Sequence, residues 1–193
     1  MGAGALGSLF AGYLVRTGEE VWAVDPKPEI VDTINTTGLR IREISGEENI
    51  IRLRTTQKPG QIGPADLVLF LTKSTQTQRT AQDARHLFGP HTVGLTLQNG
   101  LGNPEMIESV LGIKGILAGV TGQGATLIGP GKILHAGAGE TILGESRGGS
   151  SERAEKIAGV LTRAGLGTHV SQTIWNDIWG RLIVHVGMSA LTP

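Results

Sequence analysis

A glycine-rich turn, GAGALG, begins at the second residue of this chain, with Gly2, Gly4 and Gly7 in the spacing G-x-G-x-x-G. In a dinucleotide-binding unit the first glycine makes a tight turn. The second lets the backbone approach a pyrophosphate, and the third lets the following helix pack closely on a strand. Backbone N–H groups at the helix N-terminus then face the phosphates. The spacing predicts a phosphate-binding loop made of Gly2, Ala3, Gly4, Ala5, Leu6 and Gly7.

The residues after the turn support this interpretation. Apolar side chains at helical spacing predict a helix over about residues 4–17, and Gly18 is a plausible stop. The apolar run 21–24 predicts a buried parallel strand that ends at Asp25. A glycine fingerprint alone is weak evidence, but an acid about twenty residues further on is placed to bind ribose hydroxyls. The other interpretation of Asp25 is a strand-end turn residue before Pro26.

Only Met1 precedes the turn, although such a turn normally follows a buried strand. In the strand order 3-2-1-4-5-6 that strand is central. Its removal would leave unpaired backbone groups on two neighbours, at a cost of about 1–3 kcal/mol for each buried group. We therefore expect that a short N-terminal segment is missing from the chain. The alternative is a rearranged sheet whose edges close around the gap.

The rest of the chain alternates strands with helices and then turns to short strands. Buried strands are expected at 66–71 and 91–97, helices at 104–111 and 151–164, and a hairpin at 38–56. Segments 116–121, 125–128, 132–136 and 140–143 predict an antiparallel end section, followed by a short strand near 168–170. A last helix starts near Ile174.

These elements predict an α/β fold: a Rossmann-like doubly wound sheet with an antiparallel extension, its first strand missing, followed by the start of a helical C-terminal domain. We place the nucleotide-binding domain at residues 1–170. Residues 171–193 are expected to be the first helix of a truncated helical domain for substrate binding and dimerisation.

Composition narrows the function classes. The 17 basic and 17 acidic residues balance, which argues against a nucleic acid or a membrane surface as partner. The absence of cysteine excludes disulfides and thiolate metal sites, and we expect no metal. The chain contains no apolar stretch of about 18 residues, which is the length needed to span a bilayer. We expect a cytoplasmic protein, with which the cysteine count is compatible.

Several motifs together resemble the ketopantoate reductase family (2-dehydropantoate 2-reductases). They are GAGALGSLFAGYL, FLTKS, LTLQNGLG, GPGKILHAGAGETILGE and IWNDIWGRLIVHVGMSALTP, and they extend over nearly the whole chain. The resemblance implies NADPH-dependent reduction of ketopantoate to pantoate, in the pathway to pantothenate and coenzyme A, or reduction of a related small 2-keto acid. It also implies a homodimer formed through a helical domain.

The resemblance assigns roles to residues after two strands. Lys73 and Asn99 would contact the cofactor, Asn99 would also lie near the substrate, and Ala125 falls close to a backbone contact of the family. Physical chemistry agrees for the first two, because each follows a buried strand at its carboxyl end, where α/β sheets bind ligands. The plainer interpretations are a surface lysine in a loop and a turn asparagine before Gly100.

The last helix departs from the family pattern. The resemblance places Arg181 at the position of the catalytic lysine, and His185 and Ser189 at two asparagines that bind substrate. Their spacing puts all three side chains on one helix face. Arg181 can stabilise the developing oxyanion, but an arginine side chain keeps its proton and is therefore a poor proton donor. His185 is our hypothetical donor near neutral pH.

Plain alternatives exist for each of these three positions. Arg181 would be a solvated helix residue, His185 a core or interface histidine, and Ser189 a helix-packing residue.

Cofactor choice rests on the turn Asp25-Pro26-Lys27. An acid near a 2′-phosphate is repulsive, so Asp25 alone favours NAD, whereas Lys27 could offset it. The resemblance favours NADP. Two other functions stay open: a truncated nucleotide-binding module without turnover, and a dehydrogenase of the glycerol-phosphate or hydroxyacid type. The Gln-Asn-Gly and Trp-x-Arg-Leu pieces count against the last of these.

Overall fold

The computed structural model describes the backbone of residues 1–191 and the side chains of residues 1–184. The helices of this part are α1 (Ala5–Arg16), α2 (Pro28–Thr37), α3 (Thr77–Ala84), α4 (Asn103–Leu111), α5 (Glu152–Arg163) and α6 (Ile174–Leu191). The strands are β1 (Trp22–Val24), β2 (Leu39–Arg42), β3 (Glu48–Ile51), β4 (Arg54–Thr56), β5 (Leu67–Phe70), β6 (Val93–Thr96), β7 (Leu117–Thr121), β8 (Gly124–Gly129), β9 (Lys132–Gly137), β10 (Thr141–Glu145) and β11 (Thr168–Val170).

The strands form three sheets in the described chain. The largest has the order β11-β10-β7-β6-β5, in which β5, β6 and β7 run parallel, β10 is antiparallel to β7, and β11 is parallel to β10. A second sheet has the order β3-β2-β9-β8, and β1 and β4 form a parallel pair. The predicted α/β class with a parallel sheet is confirmed.

Residues 1 and 2 bond to both β1 and the chain around β5. The backbone N of Met1 donates to the carbonyl of Leu69 at 2.8 Å, and the Leu71 N–H donates to the Met1 carbonyl at 3.0 Å. On the other side, the Gly2 N–H donates to the Val24 carbonyl at 2.8 Å. Among the described strands β1 pairs with β4 and β5 pairs with β6, so the two edges do not close on each other as the alternative interpretation required.

Helix α1 lies between the two larger sheets. Phe10 packs into a cluster with Leu95 of β6, while Leu9 packs into a different cluster with Ile41 of β2. All four side chains are fully buried. Gly12 allows the close approach to the four-stranded sheet, because a Cβ there would lie 2.6 Å from the Cδ1 of Ile41. The middle of α1 is thereby packed against both layers.

The predicted antiparallel end section is confirmed for two pairs, because β10 is antiparallel to β7 and β8 is antiparallel to β9. It does not form a separate extension, because β7 also pairs parallel with β6 and so belongs to the main sheet. The predicted strands at 125–128 and 132–136 are not part of the main sheet. They form the hairpin β8–β9, which belongs to the four-stranded sheet because β9 pairs parallel with β2. The predicted hairpin in 38–56 is confirmed for β2 and β3, but β4 pairs with β1. Periodicity identifies a strand, whereas its partner depends on distant residues.

Helix boundaries follow local signals. Ser151 is the N-cap residue of α5, and its hydroxyl accepts a hydrogen bond from the Ala154 N–H at 3.2 Å. The final helix α6 is anchored on the main sheet by the buried side chains of Ile174 and Ile178. No helix of the described residues is both long and apolar enough to cross a membrane.

Candidate functional site

Each of the three glycines meets a different environment. Gly2 has a φ of +94°, a left-handed conformation that favours glycine. A Cβ on Gly7 would lie 1.8 Å from the Gly2 carbonyl oxygen, so only glycine fits there. A Cβ on Gly4, in contrast, would meet no protein atom within 4 Å. The loop is therefore closed on the protein side and open at its middle glycine, which is the shape needed for a ligand to approach the backbone.

The open side of this loop is also the N-terminus of α1. Gly4 is the N-cap residue, its helix has no acidic residue in the first turn, and the first backbone bond runs from the Ser8 N–H to the Gly4 carbonyl at 2.9 Å. The N–H groups of the first turn have no intrahelical acceptor. Together with the helix dipole they favour an anion at this place. The loop fits a pyrophosphate group.

Asp25 faces the loop. Its side chain is only 7% exposed. Its Oδ2 accepts from the Ala3 N–H at 2.9 Å, and its Oδ1 accepts from the Lys27 N–H at 3.1 Å. The carboxylate therefore ties the glycine loop to the end of β1, which the sequence pattern did not indicate. Lys27 is exposed just beyond it.

The loops after β5 and β6 complete this edge of the molecule. They line a cleft of about 320 Å³. Lys73 and Asn99, both singled out from the sequence, lie in its wall together with Leu6 of the glycine loop. The other lining residues are Leu71, Thr72, Ser74, Leu97 and Gln98. The structure thus brings the three predicted segments, residues 2–7, 73 and 99, to one edge.

A hydrogen-bonded network joins the two loops of the cleft. The Nε2 of Gln98 donates to the Thr72 carbonyl at 2.8 Å and to Thr77 Oγ1 at 3.0 Å. Asn103, buried at the start of α4, accepts from Thr77 Oγ1 at 2.9 Å and donates to Ser74 Oγ at 3.3 Å. Sequence reasoning missed this network. Gln98 stands inside the Gln-Asn-Gly motif, but only its neighbour Asn99 was singled out.

The remaining predicted residues lie elsewhere. Ala125 is in β8, opposite His135 of β9, and packs against the buried cluster around α1. Arg181 is exposed on α6. His185 and Ser189 are on the same helix, but their side chains lie outside the described residues.

A second polar cluster ties α1 to the four-stranded sheet. The Tyr13 hydroxyl donates to Glu43 Oε2 at 2.7 Å, Arg16 Nη1 donates to Glu43 Oε1 at 2.8 Å, and His135 Nδ1 lies 3.1 Å from Oε2. Burial acts to raise the pKa of Glu43, but these hydrogen bonds outweigh it and lower the pKa. Burial and the hydrogen bond to Glu43 raise the pKa of Tyr13 to about 12.

Comparison with known proteins decides the family. Residues 1–148 match the family described as "Ketopantoate reductase PanE/ApbA". This chain belongs to the ketopantoate reductase family. The resemblance seen in the motifs is confirmed.

Two relatives of this chain are 2-dehydropantoate 2-reductases. The protein of Pyrococcus abyssi is 39% identical over 193 residues, which cover 100% of this chain and 61% of the relative. That of Halobacterium salinarum is 32% identical over 192 residues, which cover 99% of this chain and 63% of the relative. The chain therefore spans less than two thirds of the length of these relatives.

Two solved structures share the fold. A D-mandelate dehydrogenase in complex with NADH and anilino(oxo)acetate has a TM-score of 0.86 and 32% identity, covering 92% of this chain and 57% of the other. The 2-dehydropantoate 2-reductase of Geobacter metallireducens has a TM-score of 0.82 and 33% identity, covering 89% of this chain and 56% of the other. The Rossmann-like assignment is confirmed by these neighbours.

Proposed function

We propose that this protein reduces a small 2-keto acid, with 2-dehydropantoate as the first candidate, to the corresponding hydroxy acid using NADPH. The observation that carries the proposal is the glycine loop: at Gly4 its backbone is open to a ligand, at the head of α1. Lys73 and Asn99 line the adjoining cleft. Family membership supports ketopantoate over other keto acids as the substrate, and the proposed reaction would then lie on the route to pantothenate.

NADPH is preferred in this proposal over NADH, which a D-mandelate dehydrogenase of similar fold binds. An acidic side chain selects NAD when its carboxylate accepts a hydrogen bond from the ribose 2′-hydroxyl. Here both Asp25 oxygens already accept backbone N–H groups, and the side chain is nearly buried. Lys27 is exposed in the same turn, and its ammonium group would attract the 2′-phosphate of NADPH. A Lys27→Gln variant should weaken NADPH binding more than NADH binding in parallel titrations.

The chemistry needs a cation and a proton donor near the keto oxygen. Bound NADPH supplies the hydride. Lys73 and Asn99 hold and orient ligands in the cleft. Arg181 stabilises negative charge on the oxygen, and His185, one turn further along α6, delivers the proton. The assignments to α6 rest on helical spacing and on the resemblance.

Assembly and location are part of the same proposal. We place residues 1–170 in a nucleotide-binding domain and residues 171–193 in the first helix of a helical domain that forms a homodimer in the cytoplasm. Exposed apolar side chains on α6 support the homodimer, because such side chains mark interaction surfaces. Trp179, Ile183 and Val184 are 50%, 68% and 55% exposed. Light scattering should give twice the mass of one chain.

A second candidate function is a nucleotide-binding module without turnover. It is favoured by the residues on α6, since Arg181, His185 and Ser189 stand where the resemblance implies a lysine and two asparagines. The module would retain the glycine loop and lose the chemistry.

One spectrophotometric experiment separates these functions. Purified protein is mixed with NADPH and 2-dehydropantoate, and absorbance of the reduced nicotinamide is followed. A protein-dependent decrease supports the reductase, cofactor binding without a decrease supports the module, and the absence of both contradicts each. In the reductase, Arg181→Ala should lower kcat and Arg181→Lys should retain most of it. The matched control is Arg79→Ala, on the exposed face of α3.

A further inference from the structure

We propose that the outer face of the four-stranded sheet binds a phosphate monoester that carries an apolar substituent. Helix α1 covers the inner face of this sheet, where Leu39, Ile41 and Ile133 of the strands pack against it. The side chains that alternate with these residues point to the opposite face. There Arg40 and Arg42 of β2 stand beside Lys132 of β9. The sheet therefore presents three cations on the side that α1 leaves open.

The charges of this face are not balanced by its own residues. Arg40 and Lys132 are direct cross-strand partners, so two cations oppose each other, an arrangement that is unfavourable without an anion between them. Glu48 is the carboxylate of the cleft, and it pairs with both arginines, accepting a hydrogen bond from Arg40. Its oxygens lie 3.4 Å from Arg40 Nη1 and 3.7 Å from Arg42 Nη2.

Arg40 uses one of its donors within the cleft, since its Nη1 bonds to Glu48. Its Nε is buried without a hydrogen-bond partner in the described structure, so the guanidinium is only partly satisfied by the protein. A guanidinium has five N–H donors, and its planar fork matches the oxygens of a phosphate. A doubly charged group would compensate the excess of two positive charges better than a carboxylate would.

The shape of the face adds an apolar requirement. Arg40, Arg42, Glu48 and Lys132 line a cleft of about 320 Å³ together with Ile128, and the cleft also borders Ile133, whose fully buried side chain faces α1. Ile128 is 50% exposed, and it lies at an irregularity in the β8–β9 pairing, between Leu127 and Gly129. A ligand that neutralises the cations and covers this isoleucine would satisfy both features. The site is separate from the glycine loop, because α1 and the sheet itself lie between them.

The test uses phenyl phosphate as the probe and backbone amide NMR shifts as a site-resolved readout. We expect saturable shifts at residues 40–42 and 132, distinct from any shifts at residues 4–7 caused by phosphate at the glycine loop. The double variant Arg40→Gln/Lys132→Gln should weaken binding at least about tenfold. The control Arg79→Gln/Lys156→Gln, which removes the same charge from exposed helix faces, should leave it unchanged.

Three results would overturn the proposal: shifts confined to residues 4–7, binding that survives the double variant, or benzoate binding as tightly as phenyl phosphate. NADPH titrations of the same samples monitor the glycine loop separately. The double variant should bind NADPH like the parent protein, so failure of this site and failure of the proposed function give different results.

Discussion

Replacing Gly7 with alanine tests the closed side of the glycine loop. The added Cβ would lie 1.8 Å from the Gly2 carbonyl oxygen, so the two atoms must separate by at least about 1 Å. Gly2 cannot move freely, because its N–H is bonded to the Val24 carbonyl and the preceding Met1 carbonyl accepts from Leu71. Relieving the overlap therefore strains α1 or breaks a bond between residues 1–2 and the strands beside them.

The magnitude follows from these contacts. Overpacking in a buried place costs about 1–3 kcal/mol, and each weakened hydrogen bond adds about 1 kcal/mol. We expect Gly7→Ala to lower the free energy of unfolding by about 3 kcal/mol, which is a fall of about 6–12 °C in Tm for a chain of this length. Thermal melts by circular dichroism measure it. The matched control is Gly4→Ala, whose Cβ meets no protein atom within 4 Å. Equal melting of Gly7→Ala and the parent protein would refute the packing argument.

Two further substitutions test the polar clusters. Gln98→Leu removes two hydrogen bonds, to the partly buried Thr72 carbonyl and to Thr77 Oγ1, which keeps its bond to Asn103, so urea unfolding should show a loss of about 1–3 kcal/mol; a loss below about 0.5 kcal/mol would show that the network is not needed. Glu43 has a lowered pKa, so its stabilisation is present above the unfolded value of 4.5 and is lost as the pH falls through the folded value. Glu43→Gln should therefore reduce the difference in Tm between about pH 7 and about pH 3.5, and an unchanged difference would contradict this role.

Much of the fold follows from local patterns. The helical spacing after Gly4 and the apolar runs at β5 and β6 identify their elements because burial and periodicity are local properties. The pairing of β9 with β2 could not be predicted in this way. Their contact joins residues about 90 positions apart, and nothing in either strand specifies its partner.

The site shows the same division. Glycine spacing and strand ends place the loop, Lys73 and Asn99 at one edge, because the carboxyl ends of parallel strands meet there. The orientation of Asp25 toward the Ala3 N–H was not predictable, since an acid at a strand end can face either a ligand or its own loop. Gln98 was missed because an amide in a polar turn looks like a turn residue until its three-dimensional partners are known.

Calorimetric titration of NADPH into the parent protein and Gly4→Ala tests the central claim directly. A Cβ at this position fills space that the protein leaves open. If that space receives the cofactor's pyrophosphate, Gly4→Ala will bind NADPH at least about tenfold more weakly while its Tm stays close to that of the parent. Equal affinity in the two proteins, or no saturable binding to the parent, would contradict the account.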